Sequence, residues 1–189
     1  MRLLFYLGHP AHWHNVSVVC RKLRAQGDKV LLVAREKDVL FDLLDGLDYE
    51  VIYIKSNKTD SKWNLIWTVF LREVKMFFIS LRFKPDVLVG TDIVITHIAK
   101  LLGKESLVLN EDDSAEVPLL AKLGFHYASS VLAPDSCNID PYADNGVFYP
   151  GYHELAYLHP DHFQPDFQVV KDLKKEGKPY FLLRFSSLD

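Results

Sequence analysis

Histidines and carboxylates gather at four short stretches of this 189-residue sequence. A histidine titrates near neutral pH, and a neighbouring carboxylate can orient it as a general base or acid. Neighbouring acids can also raise the pKa of one carboxyl group and turn it into a proton donor. These stretches therefore predict acid–base chemistry on a small ligand. The residues that we assign to them are Gly8, His9, His12, His14, Asp92, Glu111, Asp112, Asp113, Glu116, Gly151, Tyr152, His153 and Glu154.

Several of these residues also have a structural alternative. His9 precedes Pro10, and a hydrogen bond from its ring to the backbone fits this position as well as a ligand contact does. The acidic run 111–113 precedes a predicted helix, where acids cap the first turn and favour the helix dipole. Capping accounts for one or two of these acids but not for the whole cluster.

Composition and motifs argue against several other kinds of site. The formal net charge of −3 gives no electrostatic case for a nucleic-acid partner, which needs a clustered basic face, so we expect none. Cys20 and Cys137 form no ligand pair and no H-E-x-x-H motif occurs, so we expect no metal. Neither G-x-G-x-x-G nor G-x-x-x-x-G-K occurs, which predicts that a nucleotide binds mostly outside this chain. The unpaired cysteines and the short apolar run after Met1 predict a cytoplasmic protein without a signal peptide.

Strand and helix patterns alternate through most of the sequence. Apolar runs bounded by Gly, Pro or polar residues predict buried strands, and apolar residues at helical spacing predict the helices between them. Such alternation indicates βαβ units with right-handed crossovers. The predicted fold class is α/β, a Rossmann-like parallel sheet of six or seven strands with helices on both faces. The predicted strands are 2–7, 29–34, 51–54, 86–89, 106–109, 130–133 and 147–149, and the predicted helices are 15–25, 39–47, 61–83, 93–102 and a segment ending at 122.

This topology predicts that the chemically capable residues meet. In an open parallel sheet, ligands lie at the carboxyl ends of the strands, near the point where the strand order reverses. The loops 8–14, 90–92, 110–116 and 150–154 all follow predicted strands. We therefore expect these loops to lie along one edge of the sheet and to line one cleft.

The helix predicted over 61–83 is apolar and aromatic around most of its circumference. Arg72, Glu73 and Lys75 near its middle argue against a membrane span. A helix of this kind either packs deeply against a sheet or covers a partner or a lipid surface. We expect deep packing, with a peripheral membrane contact through the stretch from Trp63 to Phe78 as the alternative.

The last part of the sequence differs in character. His159-Pro160 and the stretch 164–166 indicate a linker, 169–175 a short helix, and 178–185 a strand with no crossover after it. Such a strand indicates the beginning of a further sheet. We therefore predict two units, with residues 1–158 as one domain and residues 159–189 as a linker plus the first strand of an incomplete carboxy-terminal domain.

Four stretches carry a resemblance to a known family. They are Gly8-His-Pro-Ala-His12, Ala34-Arg-Glu-Lys-Asp38, Asn110-Glu-Asp-Asp113 and, most specifically, Tyr149-Pro-Gly-Tyr-His-Glu-Leu-Ala-Tyr-Leu-His-Pro160. The sequence resembles domain of unknown function family 354, which is similar to GT-B glycosyltransferases and to UDP-N-acetylglucosamine 2-epimerases. The resemblance extends from Arg2 to Asp189.

This resemblance implies a two-domain GT-B enzyme of which the chain is the amino-terminal, acceptor-side domain. It implies a nucleotide-sugar donor, UDP-linked, which is a substrate rather than a cofactor, and a glycan or hydroxyl acceptor. The implied reaction is an inverting transfer by direct displacement. Since most of the donor-binding half would lie elsewhere, the chain alone is expected to be inactive.

The resemblance also implies roles for the residues at the predicted cleft. His9 or His12 would act as the base toward the acceptor hydroxyl, and an acid in the 111–113 run would orient it or bind the sugar. Gly151 and Tyr152 would line the cleft near the hinge. His153 and Glu154 would supply polar contacts there.

Two other functions remain open at this point. A sugar-nucleotide 2-epimerase would use paired acids and a histidine to remove and return a proton beside a UDP leaving group. A non-catalytic glycan-binding or scaffolding module would use the same fold without chemistry, because a fold alone does not imply a reaction. The sequence does not predict an oligomeric state.

Overall fold

The computed structural model describes residues 1–36, 38–55 and 62–166, together with 168, 181 and 183. Its strands are β1 (Arg2–Leu7), β2 (Lys29–Arg35), β3 (Glu50–Ile54), β4 (Val87–Gly90), β5 (Glu105–Leu109), β6 (Ser130–Pro134) and β7 (Gly146–Tyr149). All of them pair in parallel, in the order β3-β2-β1-β4-β5-β6-β7. The predicted α/β class and parallel sheet are confirmed.

Helices cover the sheet on both faces. They are α1 (Pro10–Ala25), α2 (Asp38–Leu44), α3 (Lys62–Phe83), α4 (Ile93–Leu102), α5 (Pro118–Leu123) and the short α6 (Leu155–Leu158). The alternation of side chains along β1 divides the core in two. Leu4 and Tyr6 pack with α3, α4 and α5, whereas Leu3 and Phe5 pack with α1 and α2. Both faces of the central strand are therefore buried, as a parallel sheet requires.

Helix α1 begins five residues earlier than the predicted residue 15. His9 is its N-cap in an extended conformation, and Pro10 occupies the first turn, where its fixed φ suits a helix and its missing N–H costs nothing. The prediction placed the start later because Gly8, Pro10 and the histidines around them favoured a loop. The predicted loop 8–14 is therefore too long, and His12 and His14 lie in the first turns of a helix.

Helix α4 has the predicted bounds and clear signals at both ends. The Asp92 carboxylate accepts a hydrogen bond from the Val94 N–H at 3.1 Å, which caps the amino end. Gly103 ends the helix in the left-handed conformation, with φ of 61°. This fixed start places Thr91 and Asp92 at the carboxyl end of β4.

The expected deep packing of α3 holds for one side of the helix only. Met76, Ser80 and Phe83 are buried against the core. Trp67 and Phe78, in contrast, are 60% and 63% exposed. Across the described ranges, no helix has the length and apolarity needed to cross a bilayer.

Two further predictions fall outside the described residues. The helix over 169–175 is not described, and of the strand over 178–185 only Phe181 and Leu183 are. The division into residues 1–158 and 159–189 thus stays a prediction.

Burial in the core predicts a loss of stability at alkaline pH. Burial raises the pKa of both Tyr6 and Cys20 to about 12, from ordinary values of 10.0 and 9.0. The unfolded chain therefore loses these protons first, so the free energy of unfolding should fall by roughly 3–6 kcal/mol between about pH 9 and pH 12. Urea titrations across this range measure the fall. The slope should decrease in Tyr6→Phe, and a flat profile in the unmodified protein would contradict the assignment.

Candidate functional site

The carboxyl ends of β1 and β4 mark the place where the strand order reverses. β1 pairs with β2 on one side and with β4 on the other, so the connections from β1 and β4 leave the sheet in opposite directions. In open α/β sheets this point opens a crevice for ligands. Residues that follow β1, β4, β5 and β7 are thus placed along the same edge, as the sequence predicted.

His12 lies at this reversal point. The Gly8 N–H donates to His12 Nδ1 at 3.1 Å, and Thr91 Oγ1 lies 3.2 Å from both ring nitrogens. A Cβ on Gly8 would stand 3.5 Å from His12 and 3.6 Å from Arg35, so these two side chains flank the glycine. The arrangement joins the ends of β1, β2 and β4 into one polar cluster.

The hydrogen bonds at His9 and His12 indicate which nitrogen carries the proton. A backbone N–H can only donate, so Nδ1 accepts in both residues, from Ala11 at His9 and from Gly8 at His12. In the neutral ring the proton then resides on Nε2. Each Nε2–H is a donor in this state, which suits binding of a substrate oxygen better than removal of a proton.

A buried ion pair supports this cluster from the α3 side. Arg72 lies 3.3 Å from the Asp92 carboxylate, and both side chains are largely buried. The Tyr6 hydroxyl and Arg72 Nε are buried without a hydrogen-bond partner. Burial raises the pKa of Tyr6, and the nearby positive charge of Arg72 partly offsets this rise. Asp92 therefore caps α4 with one oxygen and holds Arg72 with the other, and it fixes the loop that carries Thr91.

A second histidine, His153, forms a pair with Glu111. Its Nδ1 lies 3.2 Å from Glu111 Oε2. A carboxylate accepts a hydrogen bond, so Nδ1 carries the proton and Nε2 of the neutral ring has a free lone pair. The His153 side chain is 9% exposed, and its Nε2 is buried without a hydrogen-bond partner. This is the arrangement of a histidine base oriented by a carboxylate.

The surroundings of His153 are apolar. Its ring stacks on Tyr149 at 6.2 Å between centroids, and the Tyr149 hydroxyl is also buried without a partner. Both side chains line a cavity of about 570 Å³ between the sheet, α1 and α6. Most other lining residues are aliphatic, among them Val89 and Leu109 of the sheet. Burial raises the pKa of Tyr149, so its hydroxyl stays neutral and can donate.

The other predicted acids contact the backbone or solvent rather than a predicted site histidine. Asp113 accepts a hydrogen bond from the Asn138 N–H at 2.8 Å and so pins its loop to the segment after β6. The Asp112 backbone oxygen accepts from the buried Asn110 side chain, while the carboxylates of Asp112 and Glu116 face solvent. The acid in this run that contacts a predicted site histidine is Glu111.

The remaining predicted residues lie around the two clusters. His14 is exposed with its ring 5.4 Å from that of Tyr157, and Glu154 is exposed at the start of α6. Tyr152 is 57% exposed and lines the mouth of the cavity. Gly151 has φ of 148°, a conformation that favours glycine, so it allows the bend before α6.

Sequence reasoning missed the partners that come from distant segments. Arg72 lies in the middle of a helix whose sequence is mostly apolar, and Tyr6 lies in a strand whose sequence predicts burial in the core. Tyr149 ends β7 and follows the same rule of strand ends as the predicted loops, so that rule could have found it. Within the described ranges, no three His, Cys, Asp or Glu side chains are grouped so as to hold a metal ion.

The chain was compared with known proteins. No family model matches it, and no curated protein does. Solved structures do match. UDP-GlcNAc 2-epimerase from Neisseria meningitidis bound to UDP-GlcNAc has a TM-score of 0.64 at 12% identity, over 84% of this chain and 49% of that one. MurG from Acinetobacter baumannii has a TM-score of 0.56 at 16% identity, over 70% of this chain and 40% of that one. Spinosyn rhamnosyltransferase SpnG complexed with thymidine diphosphate has a TM-score of 0.56 at 17% identity, over 78% of this chain and 49% of that one.

These similarities establish the fold. The chain has the Rossmann-like fold of the amino-terminal domain of GT-B proteins, a group that includes glycosyltransferases and UDP-GlcNAc 2-epimerases. It spans less than half of the length of each of the three proteins. At identities of 12–17% the comparison carries the fold and not the reaction.

Proposed function

We propose that this chain is the acceptor-side half of a GT-B-like glycosyltransferase that moves a sugar from a nucleotide donor to a hydroxyl acceptor. One observation carries the proposal: a GT-B-type sheet presents oriented histidines along its ligand-binding edge. Those histidines are His12 at the strand reversal and His153 beside Glu111. A donor linked to UDP, as bound in one structural neighbour, is the first candidate.

In the proposed reaction His153 is the base. The acceptor hydroxyl gives its proton to the His153 Nε2 lone pair while its oxygen forms a bond to the anomeric carbon of the donor. The nucleoside diphosphate leaves with the electrons of the broken bond. Glu111 holds the Nδ1–H and stabilises the imidazolium that forms.

His12 has a different proposed role. Its Nε2–H can donate to Thr91 Oγ1 at 3.2 Å, and the Thr91 hydroxyl can in turn donate to an oxygen of the bound sugar or of the leaving phosphate. His9 caps α1 through Nδ1 and offers its Nε2–H to such an oxygen. The base role that the sequence suggested for His9 or His12 would require the proton to change nitrogen, so we assign that role to His153.

The exposed groups of the edge are proposed to bind substrate. Asp112, Glu116 and Glu154 have solvent-facing carboxylates that can accept hydrogen bonds from sugar hydroxyls. Asp113 keeps its loop in place through Asn138. No step in this scheme requires a cofactor.

The division of labour between domains is part of the proposal. We propose that residues 1–158 form the acceptor-side domain and that residues after 159 lead into a donor-binding domain. The intact mass of the protein made by its own cell tests this. About 40 kDa, two domains of ordinary size, would support the division, and 21.8 kDa would contradict it.

A product assay on the full-length protein separates the proposed function from its rivals. UDP release that requires an acceptor and yields a glycosylated product supports a transferase. Conversion of UDP-N-acetylglucosamine to its 2-epimer without an acceptor supports the epimerase, which the fold of the neighbours also allows. Binding of glycans without turnover of any donor would favour a binding module.

A further inference from the structure

One side of α3 carries a continuous apolar surface that nothing described in the chain covers. Apolar residues recur along it at a spacing of three, four or seven residues, which places them on one face of a helix. The surface extends over about 21 Å from first to last residue at 1.5 Å per residue. Its exposed members, which we call the α3 stripe, are Trp67, Phe70, Leu71, Phe78 and Leu81, each between 43% and 63% exposed.

The stripe is aromatic as well as apolar. The rings of Trp67 and Phe70 stack at 5.4 Å between centroids. Phe78 contacts Phe77 edge to face at 5.7 Å. Large aromatic side chains at a surface mark binding interfaces, and tryptophan in particular favours the boundary between lipid and water.

The charges beside the stripe are basic. Lys75, Arg82 and Lys84 are all exposed, and helical spacing places Lys75 and Arg82 along one edge of the stripe. The one acid among the described residues of α3, Glu73, is turned away and lies 2.7 Å from His97. Glu50 stands near Phe78 and Arg82 in a shallow groove, where Arg2 also lies. Among the described residues, the charges around the stripe are therefore mainly positive, although the whole chain has a net charge of −3.

We infer that the α3 stripe docks the protein on an anionic membrane surface. An aromatic and aliphatic face bordered by Lys and Arg is the pattern of a helix that lies in the interface plane. The basic edge complements anionic lipid headgroups. A two-fold dimer through the same stripe would bring its basic edges toward one another, and lysine is depleted at such interfaces.

Vesicle co-sedimentation of the full-length protein tests the inference. Phosphatidylcholine vesicles are compared with vesicles that also contain phosphatidylglycerol. We expect binding to the anionic vesicles and little to the neutral ones. Replacing Lys75 and Arg82 by glutamine should weaken partitioning roughly 30-fold, since each basic residue near an anionic surface contributes about fivefold. Trp67→Ser with Phe78→Ser should weaken it by at least about tenfold.

A matched control uses an exposed leucine outside the stripe. Leu119 of α5 is 67% exposed, so Leu119→Ser removes apolar surface of similar accessibility and should leave partitioning unchanged. All of these positions are exposed, and circular dichroism checks that each variant folds. Absence of binding to anionic vesicles would overturn the inference. So would binding that the stripe variants do not weaken, or a dimer in light scattering that Trp67→Ser dissociates while vesicles remain unbound.

Discussion

Replacing His153 by alanine in the full-length protein should lower its turnover number by about 10²–10⁴-fold, the range of a lost general base. The loss should appear mainly in kcat, because the acceptor hydroxyl would still bind but would keep its proton. Glu111→Gln should also lower kcat, since the amide no longer stabilises the imidazolium.

His126→Ala is the control for this experiment. His126 is exposed in the short turn after α5 and lies against Tyr127, away from the strand ends at issue. Its replacement should leave kcat within a factor of about two, as expected for a surface substitution. A His153→Ala variant with unchanged kcat would remove the base assignment. A large loss in His12→Ala alone would transfer that assignment to the strand reversal.

Gly90→Ala should destabilise the protein by about 2–3 kcal/mol, as expected when a methyl group is forced into a packed core. A Cβ at this position would lie 2.9 Å from the Tyr6 carbonyl oxygen and 3.2 Å from the Tyr6 Cβ. The first of these atoms is backbone of β1, so relief requires a shift between β1 and β4. Because Thr91 follows directly, the same shift should disturb its contact with His12.

Gly103→Ala separates crowding from backbone strain. Gly103 has φ of 61°, and a Cβ added there would meet nothing within 4 Å, so its cost of about 1–2 kcal/mol comes from conformation alone. Urea unfolding of both variants measures the difference. Turnover should decline in Gly90→Ala and stay unchanged in Gly103→Ala. Equal stability of Gly90→Ala and the unmodified protein would contradict the described packing of β1 against β4.

The alternation of strands and helices could be predicted because each element carries its own local signals. In α4, for example, Asp92 and Gly103 bound a segment whose apolar residues recur at helical spacing. The start of α1 was not predicted, since Gly8-His9-Pro10 favoured a loop and the cap is a histidine, which is not a typical N-cap residue. Parallel pairing then brings the strand ends to one edge whatever the exact bounds are.

The partners within the site depend on long-range geometry. Glu111 and His153 are 42 residues apart, and nothing local distinguishes Glu111 from Asp112 or Asp113. Which of these acids meets His153 depends on the spacing of β5 and β7 on either side of β6. Likewise, Arg72 reaches Asp92 because α3 packs against α4, the helix that Asp92 caps, which a helical pattern alone does not reveal.

Helix α3 shows the same limit. Its periodicity indicated a broad apolar surface but not which part the sheet would cover. Packing buries the side with Met76 and leaves Trp67 and Phe78 outside. The expectation of deep packing did not distinguish the side that the core covers from the side that stays exposed.

The central claim is that the full-length protein binds a nucleotide sugar and that this chain supplies acid–base groups rather than the donor site. Calorimetric titration with UDP-N-acetylglucosamine, other UDP-sugars and thymidine diphosphate sugars tests it most directly. We predict saturable binding of at least one donor, one per chain, with the same affinity in His153→Ala, whose turnover is lost. Failure of every donor to bind the unmodified protein would contradict the account.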